Sequence, residues 1–290
     1  MQLRHLFLSL VAAATCRAVA VDRPAMCGNP APSKEYLQVL AEASVAEASA
    51  SAHASVNARA SRTVKTWVHI IAYDQTRSGG YVSRDVVNQQ IQVLNNNFAS
   101  TGYQFSLQDV SYTVDYRWSD IRTTWDLTSL KQSLRKGTYS DLNLYYFHSI
   151  VDNATGYKLT GYCNYPDNGN YNSVFYNDGC NLHVESMPGG NFSPWNQGKI
   201  TSHEVGHWFG LIHPWGDSSS NGCSGVGDQV DDTPAQYAAD YGCSVSDTCQ
   251  NLPGNDPIHN IMGYNDNSCV NEFTAGQITR MNTMFGYYRG

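Results

Sequence analysis

The stretch HEVGHWFGLIH, residues 203–213, decides how this chain is read. At the His, Glu and Gly frequencies of the 290-residue sequence, its five fixed positions H-E-x-x-H-x-x-G-x-x-H arise by chance on the order of once in 100,000 such chains. On a helix, at about 100° per residue, His203 and His207 point only about 40° apart, one turn from each other, so two imidazoles can share one metal ion. Glu204 projects about 60° from His207, beside the metal and not onto it, where it reaches a water on the metal; its role is base, not ligand. His213 would lie about 9 Å further along a continuing helix, too far for bonds of about 2.0 to 2.1 Å. The chain must therefore turn back, and Gly210 stands where a left-handed turn residue is needed. Three His ligands leave one position open for water, which is the arrangement of a catalytic zinc and not of a closed structural one.

Working outward, 41% of residues are hydrophobic, 12% aromatic and only 15% charged, the composition of a chain that builds a core. With 18 basic against 25 acidic residues, a net charge of -7 and a pI near 5.6, a nucleic-acid partner is not expected. Arg4 and His5, an apolar run from Leu6 to Ala14 and then Ala18-Val19-Ala20 read as a secretory signal over 1–20. That run is too short to span a bilayer, so no membrane insertion is expected and the chain is read as secreted, extracellular and monomeric. Residues 33–57 are rich in Ala, Ser and Glu. They can be helical but lack the large side chains of a core, so 21–62 is read as a pro-segment. From Thr63 the pattern changes. TVKTWVHIIAY (63–73) is β-branched and aromatic, SRDVVNQQIQVLNNNF (83–98) is helical behind Ser83, and YQFSLQDVSYTVDY (103–116) and DLNLYYFHSI (141–150) read as strands. After about Gly216 the chain becomes irregular and cysteine-rich, ending in an amphipathic helix over 274–288. The expected class is α+β, a mixed layer of helices on a sheet followed by a disulfide-stapled half.

The extended zinc motif, followed by Asn260-Ile261-Met262-Gly263-Tyr264 with Met262 49 residues after His213, resembles the metzincin metalloproteases. PGGNFSPWNQGKITSHEVGHWFGLIH (188–213), GDQVDDTPAQ (227–236), DPIHNIMGY (256–264) and FTAGQITRM (273–281) are similar to the pappalysin branch, which includes secreted fungal and microbial enzymes. Pro214-Trp215 and Gly263 depart from residues common there. The resemblance implies a split domain over 63–290, divided at His213 into an upper half (63–213) and a lower half (214–290). A twisted, mostly parallel sheet and the zinc helix lie above the cleft. An antiparallel edge strand, for which 179–187 is the candidate, binds extended protein or peptide substrates by main-chain bonds. It also implies that Met262 floors the metal site and that Tyr264 faces it and stabilises the oxyanion. The expected reaction is peptide-bond hydrolysis by zinc-activated water with Glu204 as base. Hydrolysis of a non-peptide amide, or a binding protein such as an adhesin or inhibitor on an inactive version of the fold, are the rival readings. An intact Glu204 argues against the binder.

Removing the signal takes away Cys16 and leaves seven of eight cysteines, an odd number. Cys163 and Cys180 form a local pair. For Cys223, Cys243, Cys249 and Cys269 spacing permits three connectivities, and the resemblance implies Cys223 with Cys249 and Cys243 with Cys269. Cys27, in MCGNPAPS (26–33), resembles the cysteine switch of latent metzincins. A free thiol, or one paired with another chain, fits the odd count equally. Asp228, Asp231, Asp232 and Thr233 offer oxygen donors to Ca²⁺, as branch members do nearby, while a solvated acidic turn accounts for them too. Asn153 and Asn191 begin N-glycosylation acceptors. His148, His183 and His259 are read as structural.

Overall fold

The computed structural model describes residues 25–51, 61–168, 171–216 and 222–290; the signal expected at 1–20 lies outside them. In chain order come α1 (Lys34–Ser51), β1 (Arg62–Ala72), α2 (Arg84–Asn97), β2 (Tyr103–Val114), α3 (Tyr116–Ser119), β3 (Asp120–Arg122) and α4 (Thr128–Leu134). There follow β4 (Leu142–Phe147), β5 (Ser149–Val151), β6 (Gly161–Cys163), α5 (Tyr171–Asn177), β7 (Cys180–His183), α6 (Lys199–Trp208) and α7 (Ala275–Tyr288). Strands form where β-branched and aromatic residues cluster, and helices start at their caps. The Ser83 side chain accepts from Val86 N ahead of α2, and Thr274 closes a capping box with Gln277 ahead of α7.

The main sheet runs β2-β1-β4-β7-β6. Its first four strands are parallel, and β6 is antiparallel to β7. This corrects the expectation for 179–187. The antiparallel edge strand exists, but it is Gly161–Cys163, whereas Cys180–His183 is an inner strand parallel to β4, buried at all four positions. Alternation along 179–187 cannot distinguish an edge from an interior strand, and a three-residue Gly-Tyr-Cys strand carries almost no pattern of its own. The Cys163–Cys180 disulfide joins the two strands at paired positions.

α2 and α6 cover one face of the sheet around Val68, Ile70, Leu144, Val87, Leu94 and Val205, all buried. On the other face Ile71, Tyr145, Phe147 and Ile150 form a second cluster with Leu130 of α4. Behind α6, the buried Asp178 carboxylate accepts from Arg289 at 2.7 and 3.1 Å, from Arg135 at 3.3 Å and from Trp208 Nε1 at 3.2 Å. The Arg289 guanidinium lies 3.8 Å over the Trp208 ring. Below the site, residues 222–274 form no helix or strand among those described. Disulfides Cys223–Cys249 and Cys243–Cys269 tie them together, with Cα atoms 5.3 and 5.8 Å apart. This is the connectivity that the resemblance implied.

Candidate metal centre

The first two histidines owe their position to α6, which α2 holds in place. Gln90 donates to Gly198 O at 2.8 Å and Asn97 to Ser202 Oγ at 2.8 Å. His203 and His207 are fully buried. Each Nδ1 donates to a backbone carbonyl, His203 to Ile261 and His207 to Leu211, both at 2.8 Å. That fixes the tautomer and leaves a bare lone pair on each Nε2. At Gly210 the backbone is left-handed, with φ 98°. Gly210 N donates to His207 O at 2.8 Å and Leu211 N to Gly206 O at 3.0 Å, the two bonds that close a helix in a Schellman turn. The reversed chain brings the His213 ring 4.7 Å from that of His207 and 5.3 Å from that of His203.

The Nε2 atoms of His203 and His207 lie 3.1 Å apart. Two lone pairs facing each other at that distance repel unless a cation sits between them, and tetrahedral zinc with bonds of about 2.05 Å separates its nitrogens by about 3.3 Å. Protonation does not resolve the contact. Burial pushes His203 down to about 4 and, reinforced by the neighbouring imidazoles, holds His207 and His213 well below the usual range, so all three rings are neutral. The His213 Nε2 is buried with no hydrogen-bond partner among the described residues. Cys27 Sγ stands 3.6 Å from His207 Nε2, and the ligand atoms of Cys27, His203, His207 and His213 all lie within 4.8 Å of one another. Among the described residues no other group of three or more His, Cys, Asp or Glu converges in this way. The donor set fits zinc.

Glu204 is fully buried, no described residue other than Cys27, whose thiol stands beside it, reaches its carboxylate oxygens, and burial outweighs that thiol and pushes the carboxyl pKa well above the usual range. Met262 is fully buried with its sulfur against Gly206, where any Cβ would collide with it. In this chain packing against Met262 thus favours glycine at the variable fourth position of the motif. Met262 is held in turn by Asn260, whose Oδ1 accepts from Met262 N at 2.9 Å and whose amide donates to Gln277 at 2.8 Å. The Tyr264 ring is 5.0 Å from that of His213 and 5.8 Å from that of His203. Trp215 stacks on His213 at 4.7 Å and 7° and meets Tyr264 edge-on at 4.8 Å. Sequence reading noticed Pro214-Trp215 as a departure without giving Trp215 this place.

Residues 25–29 lie along the edge strand. Ala25 N donates to Lys158 O at 2.7 Å and Gly28 N to Gly161 O at 2.9 Å, while the Asn29 side chain exchanges bonds with Cys163 N and O at 2.8 and 2.7 Å. Asp228 turns inward, accepting from Val230 N and Gln277, and Asp232 accepts from Gly276 N at the start of α7. Asp231 is exposed, and Thr233 N closes a turn on Val230 O. Asn153 and Asn191 are exposed. The three histidines read as structural each have a partner: His148 pairs with Asp120, His183 caps a 3₁₀ turn at Glu185 N, and His259 bonds Cys269 O.

Residues 136–286 match the peptidase family M43, described as pregnancy-associated plasma protein-A. An extracellular metalloprotease of Pyricularia oryzae is 44% identical over 285 residues, covering 98% of this chain and 96% of the relative. A second, of Sordaria macrospora, is 40% identical over 293 residues, covering 100% and 98%. Mature mirolysin of Tannerella forsythia, solved with a cleaved peptide, superposes with a TM-score of 0.63 at 25% identity over 79% of this chain and 93% of that one. A mutant promirolysin superposes over 90% of this chain and 93% of its own, with a TM-score of 0.65 at 24% identity. The chain belongs to the M43 peptidases, the pappalysin branch of the metzincins, and is a zinc metalloprotease.

Proposed function

We propose that this chain is a secreted zinc endopeptidase made as a silent precursor, in which His203, His207 and His213 hold the metal and Glu204 is the general base. The observation that carries this is the pair of bare imidazole nitrogens 3.1 Å apart beside a buried carboxylate. Zinc held there supplies Lewis acidity, polarising a peptide carbonyl and acidifying water. Glu204 accepts the proton of the attacking water and passes it to the leaving amine, a cycle suited to a carboxyl whose pKa burial has raised. Burial likewise keeps the Tyr264 phenol protonated, so its O–H donates to the carbonyl oxygen as negative charge develops. Met262 floors the site. An extended substrate pairs with the β6 edge once residues 25–29 have left it, a reading supported by the cleaved peptide bound to mirolysin. Secretion is supported by relatives named extracellular, and among the described residues no helix is long and apolar enough to cross a membrane. Exposed Asn153 and Asn191 carry N-glycans in this reading.

In the precursor Cys27, whose Sγ lies 3.6 Å from His207 Nε2, would hold the metal together with the three histidines as a thiolate and keep water off it, and removal of the segment 21–62 would take that ligand away. The fold likeness to promirolysin, which spans more of this chain than the likeness to the mature enzyme, supports a pro-segment. Glu204→Ala should retain zinc by metal analysis yet lose casein hydrolysis by several orders of magnitude, whereas His213→Ala should lose the metal itself. Near-normal turnover of metal-replete Glu204→Ala would refute the mechanism. Tyr264→Phe should lower kcat more than it changes KM. Cys27→Ser should shorten the latency of the unprocessed chain and leave the processed enzyme unchanged.

A further inference from the structure

α1 meets the rest of the molecule on a surface separate from the one Cys27 touches. Its buried positions are Tyr36, Leu40 and Ala43, and Glu47 continues the series. Steps of four, three and four residues place all four on one stripe of the helix. The three apolar members pack on Ile212 and Met284. Tyr36 donates its hydroxyl to Gly210 O at 2.9 Å, on the turn between His207 and His213. Further along, Glu47 accepts from Arg280 Nε at 3.1 Å, and the same guanidinium donates to Ser44 Oγ and Gln229 O at 2.7 Å. Arg280 is only 1% exposed. Lys34, Glu35, Gln38 and Glu42 face water on the opposite side. Grooves of 340 and 450 Å³ flank the helix, so its contact is a narrow stripe with wet margins. Such a segment is a ligand for the domain and not part of its core.

We propose that the surface formed by Gly210, Ile212, Gln229, Arg280 and Met284 is a docking site for α1 that works independently of the Cys27 thiol. After a cut within 52–61 the segment then stays bound as a dissociable ligand. The inference rests on the reading of 21–62 as a removable segment. Residues 29–33 join the two contacts, so each holds the other at high effective concentration, and loss of either loosens both. Recognition requires an aromatic residue, a leucine, a small residue and an acid at that spacing. The acid is the selective element, because Arg280 loses its carboxylate when α1 departs.

The test uses the full chain in a Glu204→Gln background, so that nothing digests itself, with a site for an added sequence-specific protease placed within 52–61. After cutting, size-exclusion chromatography and mass spectrometry read how much segment stays with the domain. We expect retention at micromolar concentration even with Cys27→Ser. Glu47→Ala in that Cys27→Ser chain should weaken retention roughly ten-fold or more, the loss of a charged hydrogen bond, and Leu40→Ala should weaken it similarly. Dissociation of the Cys27→Ser segment as readily with α1 intact as with Glu47→Ala and Leu40→Ala would overturn the docking site. Retention is measured without catalysis, so its failure is separable from failure of the peptidase mechanism.

Discussion

Asp178 in the upper half and Asp228 in the lower half are both buried, and their surroundings treat them in opposite ways. In the upper half Asp178 sits between two guanidiniums. Burial pushes its carboxyl up, but Arg289 and Arg135 outweigh burial and hold it below the usual range. In the lower half Asp228 meets the Val230 amide and the Gln277 side chain, with Arg280 acting only at a distance. Burial wins, and the carboxyl is raised to about 7. The contrast follows from how each half is built. The sheet and its helices carry Asp178 and Arg135, and α7 brings Arg289 from the lower half onto the same buried group. Residues 222–274 have no such frame. They are ordered by two disulfides and by side chains that bond their backbone, as Asp256 does with Thr248 and Asn265 with Gly242.

The halves should therefore fail at opposite ends of the pH scale. A depressed carboxyl such as Asp178 stabilises the fold above its unfolded value near 3.8, and that stability is lost as pH falls through the folded value. A raised carboxyl such as Asp228 does the reverse: the stabilisation is complete below about pH 4 and is lost as pH rises through 7, a difference of about 4 kcal/mol at most. Hydrogen exchange should show the 222–274 region loosening first between about pH 4 and 7, and Asp228→Asn should flatten that trend. A trend unchanged by Asp228→Asn would break the comparison.

Removing Cys243–Cys269, which closes a 26-residue separation, should cost about 3.5 kcal/mol. Removing Cys163–Cys180, separation 17, should cost about 3 kcal/mol. The outcomes should differ more than the energies: without its disulfide the lower loop should exchange freely, while β6 and β7 keep their ladder. Equal protection in both variants would erase the distinction. Across the seam between the halves, Gly206→Ala should destabilise by roughly 2 kcal/mol, because the new methyl displaces the Met262 sulfur, and thermal unfolding with metal analysis would check it. The smallest effect belongs to Trp215→Leu. Loss of its stack on His213 should weaken zinc retention against a chelator by about ten-fold at most.

What the sequence made legible follows local periodicity. The helix spacing of His203, Glu204 and His207, the turn demanded at Gly210 and the strand at 62–72 could be read from neighbours along the chain. Met262, Tyr264 and the lower disulfides came through family resemblance, because they depend on contacts between distant segments. Long-range partners stayed hidden. Residues 33–57 lack the large side chains to build a core of their own, and nothing in them reveals that Tyr36, Leu40 and Ala43 meet Ile212 and Met284, some 170 residues or more away in the sequence. The acidic loop leaves a cation site and a solvated turn equally open in the sequence, because nothing in it reveals that Asp228 turns towards Gln277 and Asp232 towards the first turn of α7. The edge strand was placed in 179–187 because a three-residue strand pairs by position and not by pattern.

The Arg289 clamp on Trp208 also sets an order in time. Asp178 has Arg135 within reach as soon as it is made, but its two-pronged partner lies 111 residues further along. At synthesis rates of about 5 to 20 residues per second that is a wait on the order of 10 s. Until then the helix bearing His203 and His207 lacks the cation that presses on its last turn. Residues 25–51 have emerged long before, but Arg280 and Met284, which α1 contacts, arrive only with α7 itself, so α1 and the clamp on Trp208 complete their contacts together, at the end of synthesis.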